Sequence, residues 1–99
     1  MKYEMMILLK EEYDDTQLKV WAFDCAKALR KLNASEIDVI SRGKRDLAYL
    51  VKGRKRGSFI QINFSSLPKC VTYFSDSLKS DPDVLRYLIL NKKLSTKNL

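Results

Sequence analysis

The chain has 99 residues, of which 45% are hydrophobic and 31% charged, and its formal net charge is +7. This length allows one domain with one core and is too short for two, and the apolar content excludes a disordered chain. The longest apolar run, residues 5–9, is far shorter than the roughly 20 residues of a membrane span, so we expect no membrane partner. The acidic sequence that follows fits neither a signal peptide nor a transit peptide, which predicts synthesis and use in one compartment.

The first two elements are predicted to be a strand and a helix. Lys2–Lys10 has largely apolar residues on both of its faces, which is typical of a central strand. Asp14 and Gln17 have the spacing of a capping box, so a helix begins there, and Asn33 closes it. The predicted apolar stripe of this helix comprises Leu18, Trp21, Cys25, Ala28 and Leu32.

The next region is predicted to be two strands joined by a hairpin. The strand that begins at Ser35 is interrupted by Gly43, where a bulge would reverse the side-chain phase, so its faces stay unassigned beyond that point. Residues 53–57, Gly-Arg-Lys-Arg-Gly, predict a hairpin loop with three cations at its tip. The third strand, 58–64, places Ile60, Ile62 and Phe64 on one face and Phe59, Gln61 and Asn63 on the other.

The last two elements complete a known order. Ser66 and Pro68 predict a second helix start, and the helix ends at 80–83 before a strand over 84–91. The predicted stripe of this helix comprises Leu67, Val71, Phe74 and Leu78. Strand, helix, strand, strand, helix, strand is the order of the ferredoxin-like split βαβ fold of the α+β class. Its four-stranded antiparallel sheet carries both helices on one face, with the first and third strands in the middle.

The predicted domain spans 1–93, and 94–99 is expected to be a loose tail. One sheet face has no helix and must meet solvent or a partner. Three aromatic residues are candidates for partner binding on that face: Tyr49, Phe59 and Tyr87.

The side chains present disfavour an enzyme. The chain has no histidine, and Cys25 and Cys70 alone can form neither a tetrahedral zinc site nor a Cys-His nucleophile pair. There is also no glycine-rich phosphate loop. We therefore expect no catalytic residue, cofactor, metal or small-molecule substrate. A phosphate hydrolase that uses Arg86 and Asn63 stays a minor alternative. The common RNA-binding module of this topology stacks bases on an aromatic residue that follows Arg/Lys-Gly in its third strand. This chain has Ser58 after Arg56-Gly57, which disfavours base stacking on the sheet.

The segment 42–56 contains seven cations and one acid, a net charge of +6. The apolar run 47–51 inside it must be packed, so the cations are held in fixed places that suit the phosphates of a nucleic-acid backbone. Candidate RNA-binding residues in the segment are Arg42, Lys44, Arg45, Lys52, Arg54, Lys55 and Arg56. A basic surface without a ligand, a free RNA-binding module and a domain that binds only protein are the alternatives.

Three segments resemble the family of the bacterial-type ribosomal protein six of the small subunit. They are Lys2-Tyr3-Glu4, the run 43–49 with its specific Leu-Ala-Tyr, and Asp83 to Ile89, so the resemblance covers nearly the whole chain. It implies a structural RNA-binding protein of the ribosomal platform, in a bacterial cytoplasm or a plastid stroma. Such a protein assembles with ribosomal protein eighteen of the small subunit on the central domain of the small-subunit rRNA.

The resemblance also implies basic contacts at Lys2, Arg45, Lys52 and Arg86, to which we add the terminal pair Lys92 and Lys93. Two positions depart from the family pattern. Asp46 stands where a second basic residue is usual, and Leu50 stands where a proline is usual. The added cations at 54–56 are expected to compensate for Asp46.

Overall fold

The computed structural model describes residues 1–92. The elements in chain order are β1 (Lys2–Lys10), α1 (Asp15–Lys31), β2 (Ser35–Val51), β3 (Arg54–Ser65), α2 (Pro68–Lys79) and β4 (Val84–Lys92). The strands form one antiparallel sheet in the order β2-β3-β1-β4. The predicted fold class, element order and central positions of β1 and β3 are confirmed. Lys93 and the predicted tail 94–99 lie outside the described residues.

The main core lies between the two helices and one face of the sheet, which we call the helix face. Its strand residues include Met5, Ile7, Ile60, Ile62 and Phe64. The opposite side, the open face, carries a second and smaller apolar cluster of Leu8, Val51 and Leu85, with Leu47 and Phe59 packed against it. The sheet is therefore apolar on both sides at its centre, as the pattern of β1 predicts.

The capping box of α1 is confirmed. The amide of Gln17 donates to Asp14 Oδ1 at 2.7 Å, and the amide of Asp14 donates to Gln17 Oε1 at 2.9 Å. The predicted stripe is wrong at Ala28, which is exposed, while Leu29 is buried. A step of four from Cys25 fits the helical period as well as a step of three, and the larger side chain removes more apolar area from water.

The second helix begins one residue later than predicted. Leu67 precedes it in an extended conformation without a side-chain cap, and Pro68 occupies the first turn. Leu67 is 61% exposed because it stands outside the helical repeat, so its predicted place in the stripe is wrong. Val71, Phe74 and Leu78 are buried as predicted.

The predicted hairpin loop over 53–57 is wrong. The turn is Lys52-Gly53, and both residues have positive φ angles of 49° and 80°, as in a type I′ turn. Residues 54–56 belong to β3, and so does Gly57, which is buried against β1. A Cβ on Gly57 would lie 2.4 Å from Leu8 Cδ1 and 2.8 Å from the carbonyl oxygen of Leu9. This glycine therefore serves close strand packing and not a turn.

The pairing of β2 with β3 has three irregularities, the first of which lies between Ser35 and Asp38. The predicted bulge at Gly43 is confirmed by a register shift and a φ of 82°. Further on, Asp46 pairs with Arg56 and Val51 pairs with Arg54, so four residues of β2 oppose one residue of β3. The three extra residues carry this part of β2 out of the ladder and over the open face, where Leu47 and Val51 join the second cluster. We call residues 47–51 the β2 arm.

Candidate functional site

The pairing of β2 with β3 assigns the faces that sequence left open. Residues that pair in an antiparallel sheet share a face. Arg45 pairs with Gly57, which contacts Leu8, so Arg45 lies on the open face. Lys44 pairs with the buried Ser58 and lies on the helix-face side. The predicted basic segment is thus divided between both sides of the sheet.

Two of the predicted RNA-binding arginines form ion pairs with carboxylates. Arg54 forms an ion pair with Glu12, whose carboxyl pKa is lowered chiefly by this hydrogen bond. Arg56 Nε lies 2.8 Å from Asp46 Oδ1. Arg56 lies in the same phase of β3 as Ser58 and Ile60 and therefore points to the helix-face side. This ion pair places a carboxylate beside Arg56, and the compensation for Asp46 in RNA binding stays a prediction.

Arg42 is the bulge residue of β2 and turns its side chain to the open face. Its Nε and Nη2 donate to Gln61 Oε1 at 3.0 Å and 2.5 Å, and Gln61 Nε2 donates to Asn63 Oδ1 at 3.2 Å. Arg45 Nη2 donates to the carbonyl oxygen of Arg42 at 3.2 Å. Within residues 1–92, neither arginine forms an ion pair with a carboxylate, so both keep their charge available to an anion.

Arg86 of β4 reaches the β2 arm from the opposite edge of the sheet. It pairs with Leu8, which places it on the open face. Its Nη1 donates to Tyr49 Oη at 2.9 Å, and its Cζ lies 5.6 Å from the centroid of the Tyr49 ring. In the described part of the chain, Arg86 also has no carboxylate partner.

The remaining predicted cations lie at the two ends of the sheet. Lys2 is exposed opposite Lys92, whose Nζ lies 3.0 Å from Glu4 Oε1. Lys52 is exposed in the hairpin turn. Lys55 is exposed and alternates with Arg56, so it points to the open side.

An apolar groove of about 370 Å³ lies on the open face beneath the β2 arm. Its lining includes Met6, Leu8, Tyr49, Phe59 and Leu88. The predicted partner-binding residues Tyr49 and Phe59 are therefore on this face. Tyr87 borders the groove but pairs with Ile7 and packs against the main core, because the alternation along β4 turns it to the helix face.

Several open-face residues were not assigned a role from sequence. Leu88 and Leu90 are exposed apolar residues of β4, and Gln61 is a buried polar residue that orders Arg42. The sequence shows that Gln61 and Asn63 alternate with Ile60 and Ile62, but only the structure shows that Gln61 contacts Arg42. The minor hydrolase alternative loses its geometric basis, because Asn63 pairs with Glu4 while Arg86 pairs with Leu8, about 13 Å further along β1.

Two general features of the described residues bear on the site. Within 1–92, no helix combines the length and apolarity needed to cross a bilayer. The same residues contain no group of three or more histidine, cysteine or acidic side chains arranged to hold a metal ion.

Burial raises the pKa of the Cys25 thiol to about 12, so this thiol stays protonated at neutral pH.

The fold and this face define a class: a small basic binding protein of ferredoxin-like architecture, with arginines and an apolar groove on the sheet face opposite its helices. Residues 2–91 match the sequence model of the family described as Ribosomal protein S6. The chain therefore belongs to the ribosomal protein S6 family, as its sequence segments predict.

Relatives and a solved structure agree with this assignment. The chain is 69% identical to small ribosomal subunit protein bS6c of Trieres chinensis over 92% of this chain and 95% of the relative. It is 55% identical to the bS6c protein of Phaeodactylum tricornutum, over 94% and 95%. The crystal structure of 30S ribosomal protein S6 from Thermotoga maritima shares the fold, with a TM-score of 0.83 at 18% identity over 92% of this chain and 86% of that one.

The relatives from Trieres chinensis and Phaeodactylum tricornutum are both of the plastid type. A cyanobacterial bS6 protein, from Trichormus variabilis, is 27% identical over 94% of this chain and 86% of the relative. The chain is therefore a plastid-type structural protein of the small ribosomal subunit, located at the ribosome of the plastid stroma. This resolves the two locations that the sequence left open.

Proposed function

We propose that this protein binds the central domain of the small-subunit rRNA together with ribosomal protein eighteen of the small subunit. In this proposal, arginine and lysine side chains contact phosphates, and the groove on the open face receives the protein partner. The role is structural and requires no catalytic residue, cofactor or small-molecule substrate.

The observation that carries the RNA proposal is the set of open-face arginines without carboxylate partners among residues 1–92. Arg42, Arg45 and Arg86 each make a hydrogen bond to a neutral group, which orients the guanidinium without cancelling its charge. A guanidinium has five N–H donors, so each retains donors for phosphate oxygens. Phosphate neutralisation by such cations supplies most of the affinity for a nucleic-acid backbone.

The support for a protein partner is the apolar character of the same face. Leu88 is 56% exposed beside a groove that also contains Phe59 and Tyr49. An apolar patch with a polar and basic rim is typical of a protein interface. A partner seated there would also lie next to Arg86, so protein binding and RNA binding would involve neighbouring residues.

The test is a titration of an rRNA central-domain transcript with this protein, alone and with ribosomal protein eighteen present. We expect weak binding by the isolated chain and much tighter binding by the pair, with a strong salt dependence. Equal affinity in the two titrations would favour a free RNA-binding module. Affinity without salt dependence would contradict phosphate binding, and the absence of RNA affinity in both titrations would favour a domain that binds only protein.

A matched pair of variants separates the groove from general surface effects. Leu88→Ser on the open face should weaken the gain that the partner provides. Val20→Ser removes an aliphatic side chain that is equally exposed, at 56%, but belongs to α1 on the other side of the sheet. It should leave both titrations unchanged, and equal losses in the two variants would refute the placement of the partner.

A further inference from the structure

Tyr49 and Arg86 form a contact between opposite edges of the sheet. Tyr49 belongs to the β2 arm and Arg86 to β4, and β3 and β1 lie between those two strands. The residues are 37 positions apart in the chain. Contact is possible because the surplus residues of β2 carry the arm across the open face, anchored by Leu47 and Val51 in the second apolar cluster.

The contact holds the guanidinium in two ways. The hydroxyl of Tyr49 accepts a hydrogen bond from Arg86 Nη1 at 2.9 Å, and the cation lies 5.6 Å from the ring centroid. A hydrogen bond fixes one nitrogen, and a cation–π contact fixes the distance of the guanidinium from the ring. Tyr49 engages one of the five N–H donors, and four remain for another acceptor.

We propose that Tyr49 is a positioning residue for RNA binding, which acts by holding Arg86 in a conformation ready for a phosphate oxygen. This inference rests on the proposed function, because it takes Arg86 to be a phosphate contact. A free arginine side chain loses much rotamer freedom when it docks. Tyr49 restricts that freedom before the RNA arrives, so less is lost on binding.

The restriction has a measurable signature that differs from that of a lost charge. Arg86→Ala removes one phosphate contact and should lower the steepness of the log affinity against log salt plot by about 0.7 to 0.9. Tyr49→Ala leaves the cation in place, so it should weaken affinity by about three- to tenfold at every salt concentration without changing that steepness. Tyr49→Phe keeps the ring and should recover part of the affinity.

The experiment is a double-mutant cycle with the full chain. Wild type, Tyr49→Ala, Arg86→Ala and the double variant are titrated against the rRNA central-domain transcript, with ribosomal protein eighteen saturating so that changes in protein–protein affinity do not contribute. We expect Tyr49→Ala to have no further effect once Arg86 is alanine. Tyr49 is 63% exposed, and thermal unfolding of each variant checks that the fold is kept.

Four results would overturn the proposal, and they are distinguishable from one another. If Tyr49→Ala binds like wild type while Arg86→Ala is weakened, Tyr49 does not position Arg86 and the proposed function stands. If the Tyr49 effect persists in the Arg86→Ala background, Tyr49 contacts RNA or the partner directly. If Arg86→Ala binds like wild type, Arg86 is not a phosphate contact, and if wild type itself does not bind, the proposed function fails as well.

Discussion

The three consecutive cations Arg54, Lys55 and Arg56 provide a sharp test of how the fold distributes charge. Sequence alone places all three at a loop tip, where each would contact a phosphate. In the structure they belong to β3, and alternation along the strand turns Lys55 to the open side and Arg56 to the other. Each arginine is paired with a carboxylate, whereas Lys55 forms no ion pair within the described residues.

The expected magnitudes follow from this pairing. Three phosphate contacts would contribute about 2 to 3 units to the steepness of log affinity against log salt, whereas one contact contributes about 0.7 to 0.9. Lys55→Ala should therefore lower the steepness by about 0.7 to 0.9 and Arg54→Ala or Arg56→Ala by close to zero. Exposed ion pairs are weak, but an arginine that moved to a phosphate would leave an acidic group uncompensated beside the RNA.

The assay is fluorescence anisotropy of a labelled rRNA central-domain transcript, with the full chain and ribosomal protein eighteen, from about 50 to 300 mM salt. Lys69→Ala is the matched control, because Lys69 is an exposed lysine on α2. It should leave the steepness unchanged. A decrease in Arg54→Ala or Arg56→Ala as large as that in Lys55→Ala would refute the reasoning, and no change in any variant would show that this end of the sheet does not contact RNA.

Three further predictions concern the fold. Gly57→Ala should destabilise the protein by about 1 to 3 kcal/mol, measured by urea unfolding, because its Cβ would overlap a backbone oxygen of β1; an unchanged midpoint would contradict the close packing. Replacing Cys25 and Cys70 with alanine should leave RNA affinity intact and cost about 1 kcal/mol of stability, mostly at the buried Cys25; lost affinity in a folded variant would show a role for a thiol. The pKa of Asp83 is lowered chiefly by its hydrogen bond with Lys10. The ionised Asp83 should therefore stabilise the folded protein above pH 3.8, the ordinary pKa, and this stabilisation should disappear as the pH falls through the lowered pKa. Asp83→Asn should therefore lower the thermal midpoint near neutral pH, by an amount that decreases as the pH falls below 3.8, and a difference that does not change with pH would refute the linkage.

Most of the fold could be predicted because it depends on local pattern. The two apolar faces of β1, the capping box at Asp14 and the polar alternation of β3 each determine one element without reference to the others. The hairpin failed for a tertiary reason. Gly57 resembles the end of a loop in sequence, and only its proximity to Leu8 and Leu9 shows that it is a packing glycine.

The candidate site was predicted as a segment but not as a surface. Which cations remain available depends on register and on partners distant in sequence, such as Glu12 for Arg54, 42 positions away. The three surplus residues of β2 are defined only against β3, and they decide that Tyr49 reaches Arg86. Composition therefore predicted a basic binding protein, while the distribution of its charge between two faces required the structure.

Under the proposed function, the arrangement of the open face predicts that RNA and the protein partner favour each other's binding. The groove lies between cations at the two ends of β1. Lys2 lies at one end, opposite Ser65 in the ladder, and Lys10 lies at the other end, opposite Gly57 near the hairpin. The two lysines are about 26 Å apart along the strand. A partner that fills the groove would exclude water beside Arg86, and a phosphate contact is stronger where solvent screening is reduced. It would also cover apolar side chains that RNA phosphates cannot contact favourably. Each ligand would thus complete the surface that the other requires, so we expect the affinity for either one to rise when the other is bound.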